Sequence, residues 1–290
     1  MNSLNDIWFG KFYYEVAILL RNSLLVNSLL TNSEAWHNLT EKDLRNLEQV
    51  DENLLCKIFE TPTSTPREML YLELGVMPIR IIIKSRRLNF LKYIHSEPSE
   101  SLVKQVLEAQ MKHPTPNDWG QTILKDLGEI ELDMNMIKVM SKSKAKQHIK
   151  NKLEVIAFQY LTEKKIKHKK VKKLNHSRLE MAGYLEPNNH NIKLSESRLL
   201  FKLKTKMLNV KANFSSSHKE NMNCTLCETE GVNIKDTQKH IIKCPVIRKT
   251  LPDHIKVKYK DLKSESVAEQ LQVVRCVSRN FETRIRLLNI

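Results

Sequence analysis

Apolar residues recur along most of the chain at the three- and four-residue intervals that are typical of amphipathic α-helices. The first such stretch, about residues 11–31, is apolar over a wide face, which predicts a helix with neighbours on several sides. Thr40–Asp43 has the pattern of a capping box and opens a second helix. A third helix begins with Thr65 as N-cap and Pro66 at its first position, and it ends at Gly75.

Similar patterns predict further helices downstream. A fourth helix runs from Pro78 to about Ile94, and the remaining ones cover about residues 99–112, 117–127, 133–140, 145–166, 195–207 (with Ser195 as N-cap) and 267–288. Strand signals are few, and the chain contains only 6 glycines. The pattern therefore predicts a mainly α fold. We divide it into a helical bundle (1–140), a basic helical linker (141–215), a small metal-binding segment (216–250) and a helical tail (251–290).

The apolar pattern also bears on location. No run of about 18 uncharged apolar residues is present, so we expect no transmembrane span and no membrane partner. The first residues lack the basic region and cleavage site of a secretory signal. The 5 cysteines are an odd number and three of them lie close together, which favours a reducing compartment and a metal site over disulfides. We therefore expect an intracellular protein, in the nucleus or cytoplasm.

Charge is distributed unevenly around a net value of +15. Residues 1–137 carry 14 basic and 19 acidic side chains, residues 138–221 carry 21 and 6, and residues 222–290 carry 13 and 8. A mildly acidic scaffold joined to a strongly basic middle segment is typical of proteins that bind a polyanion.

The densest basic run is the candidate nucleic-acid contact. It contains Lys164, Lys165, Lys167, Lys169, Lys170, Lys172 and Lys173. Lysines neutralise phosphates with release of counterions and without sequence preference. A solvated helix end or a nuclear-import signal would give the same pattern. Four nearby aromatic residues could stack on bases: Tyr160, Tyr184, Phe201 and Phe214. For Tyr160 and Phe201, packing in the core is the favoured interpretation.

One spacing predicts a metal site: Cys224-x2-Cys227-x12-His240-x3-Cys244. Three thiolates and an imidazole suit Zn²⁺, and four protein ligands close the coordination shell, so we expect one structural zinc ion. Gly231 allows the chain to reverse, and Asp236 or Thr237 can cap a short helix that places the last two ligands on one face. Cys56 and Cys276 lie in apolar helical patterns and are expected in the core.

The zinc segment has two possible roles. Lys239 and Lys243 beside it could contact RNA or DNA, which we favour, or the zinc could only clamp the end of the chain onto the bundle. Residues 251–290 carry a predicted helix without recognisable chemistry.

These motifs resemble the C-terminal region of non-LTR (LINE-type) retrotransposon reverse transcriptases. The resemblance covers about residues 12–250. Its most specific part is the zinc motif with its flanks, at residues 213–214, 224–227 and 236–245. The weaker similarities lie at residues 29–36, 47–55, 65–66, 72–75 and 78–80.

The resemblance implies a thumb-like helical bundle, a linker and a CCHC zinc knuckle from an RNA-directed DNA polymerase. That family carries a Tyr/Phe-x-Asp-Asp hairpin for two catalytic magnesium ions, and no Asp-Asp pair occurs in this sequence. We therefore expect no catalytic residues and no enzyme activity from this chain alone. The predicted function is non-catalytic binding of template RNA or target DNA, beside the remainder of a reverse transcriptase.

Other functions stay open. The chain could be a zinc-stabilised protein-interaction module with an acidic partner. It could work beside a polymerase palm supplied by another chain, or it could be a retroelement remnant without function.

Overall fold

The computed structural model describes residues 12–172, 174–186, 192–214, 221–251, 257–264 and 266–288. Over these residues the chain is mainly helical, as predicted, and the extended pairing within them amounts to two isolated bridges, Leu74 with Met181 and Asn223 with Lys235. None of the helices in these ranges has the length and apolar character that a membrane crossing requires.

Each predicted helix is present, and two further short helices, Thr225–Thr229 and Pro245–Thr250, were not predicted. The α-helices are α1 (Tyr13–Leu20), α2 (Glu41–Phe59), α3 (Arg67–Leu74), α4 (Ile79–Ser96), α5 (Leu102–Lys112), α6 (Trp119–Glu129), α7 (Met134–Val139), α8 (Lys142–Lys167), α9 (Leu194–Thr205), α10 (Thr225–Thr229), α11 (Gln238–Lys243), α12 (Pro245–Thr250) and α13 (Val267–Leu287). A π-helical stretch, Arg21–Val26, and a further turn, Asn27–Leu29, continue α1. Short 3₁₀ segments lie at Ser33–Ala35, Gly183–Leu185, Lys211–Phe214 and Tyr259–Lys263.

The helix starts test the predicted caps. Thr40 caps α2 in a capping box with Asp43, which is confirmed. The predicted cap at Thr65 is wrong, because its hydroxyl donates to the carbonyl of Pro62 (2.6 Å) and Pro66 is the residue before α3. Ser195 is also not a cap, since α9 begins at Leu194.

Two apolar cores, the largest of four buried apolar clusters in the described residues, organise most of these helices, and α8 takes part in both. The smaller core joins one face of α4 to α5, α6 and α7, and receives Ile149, Leu153 and Ala157 from α8. The larger core joins α2, α3, α9, α11 and α13, and receives Leu161 from α8. The segment predicted as a linker therefore contains the helix along which the two cores meet. The borders of the four predicted units remain predictions.

Helix α3 ends where another segment crosses it closely. Gly75 has a φ of +64°, and a Cβ there would lie 2.3 Å from the backbone of Glu180 and Met181. The crossing segment is fixed by the Ala182 N–H, which donates to the carbonyl of Glu73 (2.8 Å). Glycine is required both for the left-handed conformation and for the close approach. This contact brings His176 next to Glu73.

Candidate metal centre and lysine-rich cavity

A short helix and a tight turn position the first two cysteines. Cys224 precedes α10, and Cys227 lies in its first turn. Gly231 follows with a φ of +74°, and the chain reverses so that the Cys224 N–H donates to the carbonyl of Ile234 (2.7 Å). The predicted role of Gly231 is confirmed.

Helix α11 positions the other two candidate ligands. The Thr237 hydroxyl accepts from the N–H of His240 (3.0 Å), so Thr237 is the cap of α11. Cys244 follows α11 directly and lies one helical turn beyond His240. Asp236, the other predicted cap candidate, instead pairs with Arg284.

Cys224, Cys227, His240 and Cys244 form a buried cluster that could hold a metal ion. Their ligand atoms all lie within 4.8 Å of one another, and Cys227 Sγ is 3.7 Å from Cys244 Sγ and 3.3 Å from His240 Nε2. Two sulfurs that each bind at about 2.3 Å in a tetrahedral shell lie about 3.8 Å apart. The distance between the Cys227 and Cys244 sulfurs fits two ligands of such a shell, and Nε2 is the His240 atom that lies next to Cys227.

The thiols influence one another's protonation. The hydrogen bond with Cys244, followed by burial, raises the pKa of Cys224 to about 11. Burial raises the pKa of Cys227, whereas the hydrogen bond with Cys224 lowers the pKa of Cys244. Because metal binding requires thiolates, metal uptake at neutral pH must release protons from this cluster.

A buried ion pair supports the cluster from α13. The Arg284 guanidinium donates to both carboxylate oxygens of Asp236, at 2.7 and 3.0 Å, and Asp236 also accepts from the Lys211 N–H (3.0 Å). Two-point contacts of this kind fix geometry as well as charge. Asp236 therefore ties the metal-bearing segment to the last helix and does not cap α11.

The remaining cysteines lie where the sequence predicts. Cys56 and Cys276 are free thiols that belong to the larger core. They lie outside the metal cluster.

The structure divides the predicted basic run. Lys164 lies on the ring of Tyr160 (4.3 Å from the centroid), and Lys165 is only 3% exposed, with its ammonium on the carbonyl of Leu174 (2.6 Å). Burial lowers the pKa of Lys165. Lys165 is thus unavailable to a surface ligand in this structure, whereas Lys167 and Lys172 are exposed. Lys173 lies outside the described residues.

Four of the predicted lysines do come together. Lys169 and Lys170, from the basic run, and Lys239 and Lys243, on α11, line one cavity of about 690 Å³. Within the described part of the chain, its lining has fourteen residues, of which nine are lysine and none is acidic. Burial, followed by the charge of Lys206, lowers the pKa of Lys170. The cavity is therefore a concentrated positive region beside the metal cluster.

The sequence interpretation missed five of the nine lysines that line this cavity. The five further lysines are Lys204, Lys206, Lys258, Lys260 and Lys263. The spacing of Lys258, Lys260 and Lys263 around Tyr259 is a visible basic and aromatic pattern that could have been noticed. Lys204 reaches Glu73 Oε2 (3.5 Å), and it is the one lining lysine for which the described residues supply an ion-pair partner.

The candidate stacking aromatics lie mainly elsewhere. Phe201 is fully buried and stacks on Phe59 with centroids 3.7 Å apart, which confirms its core role. Tyr184 also belongs to the larger core, while Tyr160 packs against that core and is covered by Lys164. None of these residues lines the lysine-rich cavity.

No protein-family model, no curated protein and no solved structure matches the chain.

Proposed function

We propose that this chain is a zinc-stabilised, non-catalytic nucleic-acid-binding module that contacts template RNA or target DNA. The observation that carries the proposal is the convergence of lysines from separate segments on one cavity, beside the helix that bears His240 and is directly followed by Cys244. Such a cavity attracts phosphates, and each neutralised phosphate releases counterions.

Zinc is the metal that this site suits best. Three sulfurs and one imidazole nitrogen are a typical structural zinc shell, and here these four ligand atoms lie within 4.8 Å of one another. Residues Cys224, Cys227, His240 and Cys244 would hold the ion. Metal analysis of the purified protein by mass spectrometry should find one zinc per chain, and iron or an absence of metal would contradict this part of the proposal.

Electrostatic binding is tested by salt dependence. We compare the wild type with Lys169→Gln/Lys239→Gln/Lys243→Gln, using fluorescence anisotropy of a labelled single-stranded RNA at several salt concentrations. For single strands the slope of log K against log salt is about −0.7 per phosphate contact, so the loss of three contacts should reduce the slope by about 2.

A matched control carries Lys142→Gln/Lys144→Gln/Lys146→Gln. These three lysines are also exposed but lie at the start of α8, away from the cavity. The control variant has the same net charge as the cavity variant and should keep the wild-type slope. Equal slopes in all three proteins, or affinity for an acidic protein without affinity for RNA, would reject the proposal in favour of a protein-interaction module.

We also propose that the chain derives from a non-LTR retrotransposon reverse transcriptase. The support is the resemblance of the motifs, together with the helical architecture and the Cys₃His cluster that the resemblance implies. Genomic sequence upstream of Met1 tests this origin: an in-frame Tyr/Phe-x-Asp-Asp segment would support it, and an unrelated coding sequence would contradict it.

A further inference from the structure

The lysine-rich cavity has an apolar floor beneath its charged rim. We call the five apolar lining residues the floor: Leu203 and Leu262 are buried, and Leu174, Val257 and Tyr259 are partly buried and pack against the larger core. Its volume of about 690 Å³ lies within the roughly 300–1,000 Å³ of small-molecule sites. A site for phosphates alone would need only the rim. The floor therefore indicates a ligand with a flat apolar part as well as negative charge.

Tyr259 is the aromatic residue of this floor, and the metal-bearing helix fixes its position. Its hydroxyl donates to Gln238 Oε1 (3.2 Å), and Gln238 Nε2 donates to the carbonyl of Leu203 (3.2 Å). Gln238 is the first residue of α11 and is buried. Because the hydroxyl is held in this way, the ring orientation is set before any ligand arrives.

The rim lysines and the apolar floor together suit unpaired nucleic acid better than paired nucleic acid. A duplex presents phosphates on its surface, but its bases are stacked inside and cannot enter a cavity of this kind without being unpaired. A single strand can place a base against an aromatic ring while its phosphates contact the surrounding lysines. Only the single strand uses both the rim and the floor.

We infer that the cavity takes one unpaired base of a single-stranded nucleic acid, RNA or DNA, on Tyr259 and the adjacent apolar residues, with the flanking phosphates on the rim lysines. This inference rests on the proposed nucleic-acid-binding function and specifies the ligand of the same cavity.

The first test needs only the wild-type protein. We would compare the affinities of a twelve-nucleotide oligothymidine, a strand of equal length in which every position is abasic, and a duplex of equal length, with oligouridine as the RNA counterpart. The two intact single strands should bind at least about fivefold more tightly than the abasic strand and the duplex, since one stacked base contributes about that much or more.

The second test removes the ring. Tyr259→Leu keeps an apolar side chain but no aromatic face, and should lower affinity for the intact strands about fivefold or more while leaving the abasic strand unchanged. Tyr259→Phe keeps the ring but loses the hydrogen bond to Gln238, so its affinity for the intact strands should lie between those of the wild type and Tyr259→Leu. Circular dichroism and metal content serve as the fold control for both variants.

The outcomes separate this inference from the proposed function. If the abasic strand or the duplex binds as tightly as the intact strands, and the cavity lysine variant still weakens all of them, the unpaired-base inference is wrong and the nucleic-acid-binding function stands. An equal loss for every ligand in Tyr259→Leu also overturns the inference. If no oligonucleotide binds the wild type, both proposals fail.

Discussion

Glu73 is a fully enclosed carboxylate whose partners come from distant parts of the chain. His176 Nε2 lies 3.3 Å from one oxygen, and Lys204 Nζ lies 3.5 Å from the other. Burial by itself raises the pKa of Glu73, but Lys204 and His176 outweigh it, and the pKa is lowered to about 2. Lys204 also lines the lysine-rich cavity, so the Glu73 carboxylate lies directly behind a residue of that surface.

The Glu73→Gln variant tests this charge through its pH dependence. A carboxyl whose pKa is lower in the folded state stabilises the protein above its unfolded pKa, near 4.5, and loses that effect as the pH falls towards 2. We expect the variant to be less stable at pH 7 by on the order of 3 kcal/mol, and this difference to shrink between about pH 4.5 and 2. Urea unfolding of both proteins across pH measures it.

Glu180→Gln is the matched control for Glu73, because Glu180 is an exposed carboxylate on the segment that crosses α3. Its stability should differ from the wild type by less than about 1 kcal/mol, without a pH-dependent gap. If the stability curves of Glu73→Gln and the wild type run parallel from pH 7 to 2, the stabilising role of the Glu73 charge is refuted.

At the scale of elements, α13 is the helix that holds the metal-bearing segment in place. Val273, Val274 and Val277 on one face of α13 are fully buried in the larger core with Ile241 and Ile242 of α11. The Asn280 side chain donates to the carbonyl of Ile241 (2.8 Å), and Arg284 pairs with Asp236. The predicted tail is therefore part of the structure that positions α11.

Arg284→Met should destabilise the protein because it leaves the Asp236 carboxylate buried without its counter-charge. The expected loss is about 3–5 kcal/mol in the free energy of unfolding. The double variant Arg284→Met/Asp236→Asn should recover part of that loss, since the remaining group is neutral. Thermal or urea unfolding of the zinc-loaded proteins measures both effects.

A surface pair of the same segment provides the comparison for Arg284. Lys249 bonds Glu230 at 2.7 Å but is 69% exposed, so Lys249→Met should cost less than about 1 kcal/mol. Equal losses from Lys249→Met and Arg284→Met would show that the buried pair has no special role.

At the scale of the whole molecule, the metal cluster and the smaller core depend on different interactions. The apolar residues around the cluster are few, with Leu226 and Ile247 as its buried aliphatic members. Structural zinc contributes about 10–16 kcal/mol in small zinc-binding peptides, which is enough to determine whether such a segment folds. The smaller core of α4 to α8 contains none of the metal-cluster residues.

Chelation of the metal should therefore unfold the molecule locally. We expect fast hydrogen exchange across residues 222–251 and loss of oligonucleotide binding, while the amides of α4 and the first half of α8 stay protected. Cys227→Ser should behave like the chelated protein, whereas Cys56→Ser, which alters a cysteine outside the cluster, should keep its metal and its binding. Unchanged exchange in residues 222–251 after complete metal removal would contradict this expectation.

Local patterns in the sequence determined the features that need only neighbouring residues. The helices follow the apolar periodicity, Thr40 and Asp43 form the predicted capping box, and Gly231 turns the chain between the two halves of the cluster. The Cys-x2-Cys and His-x3-Cys spacings each place two ligand atoms by local geometry. The fold class and the metal-cluster residues were therefore readable without the structure.

Only the tertiary structure decided which lysines share a surface and what supports the metal segment. Lys165 is buried and Lys164 lies on Tyr160, although both belong to the same run as Lys169 and Lys170 in the cavity. Arg284 and Asp236 are 48 residues apart, and Lys204 and Glu73 are 131 apart. The position of a charge on the surface or in a pair depends on how distant helices pack, and no local periodicity encodes that packing.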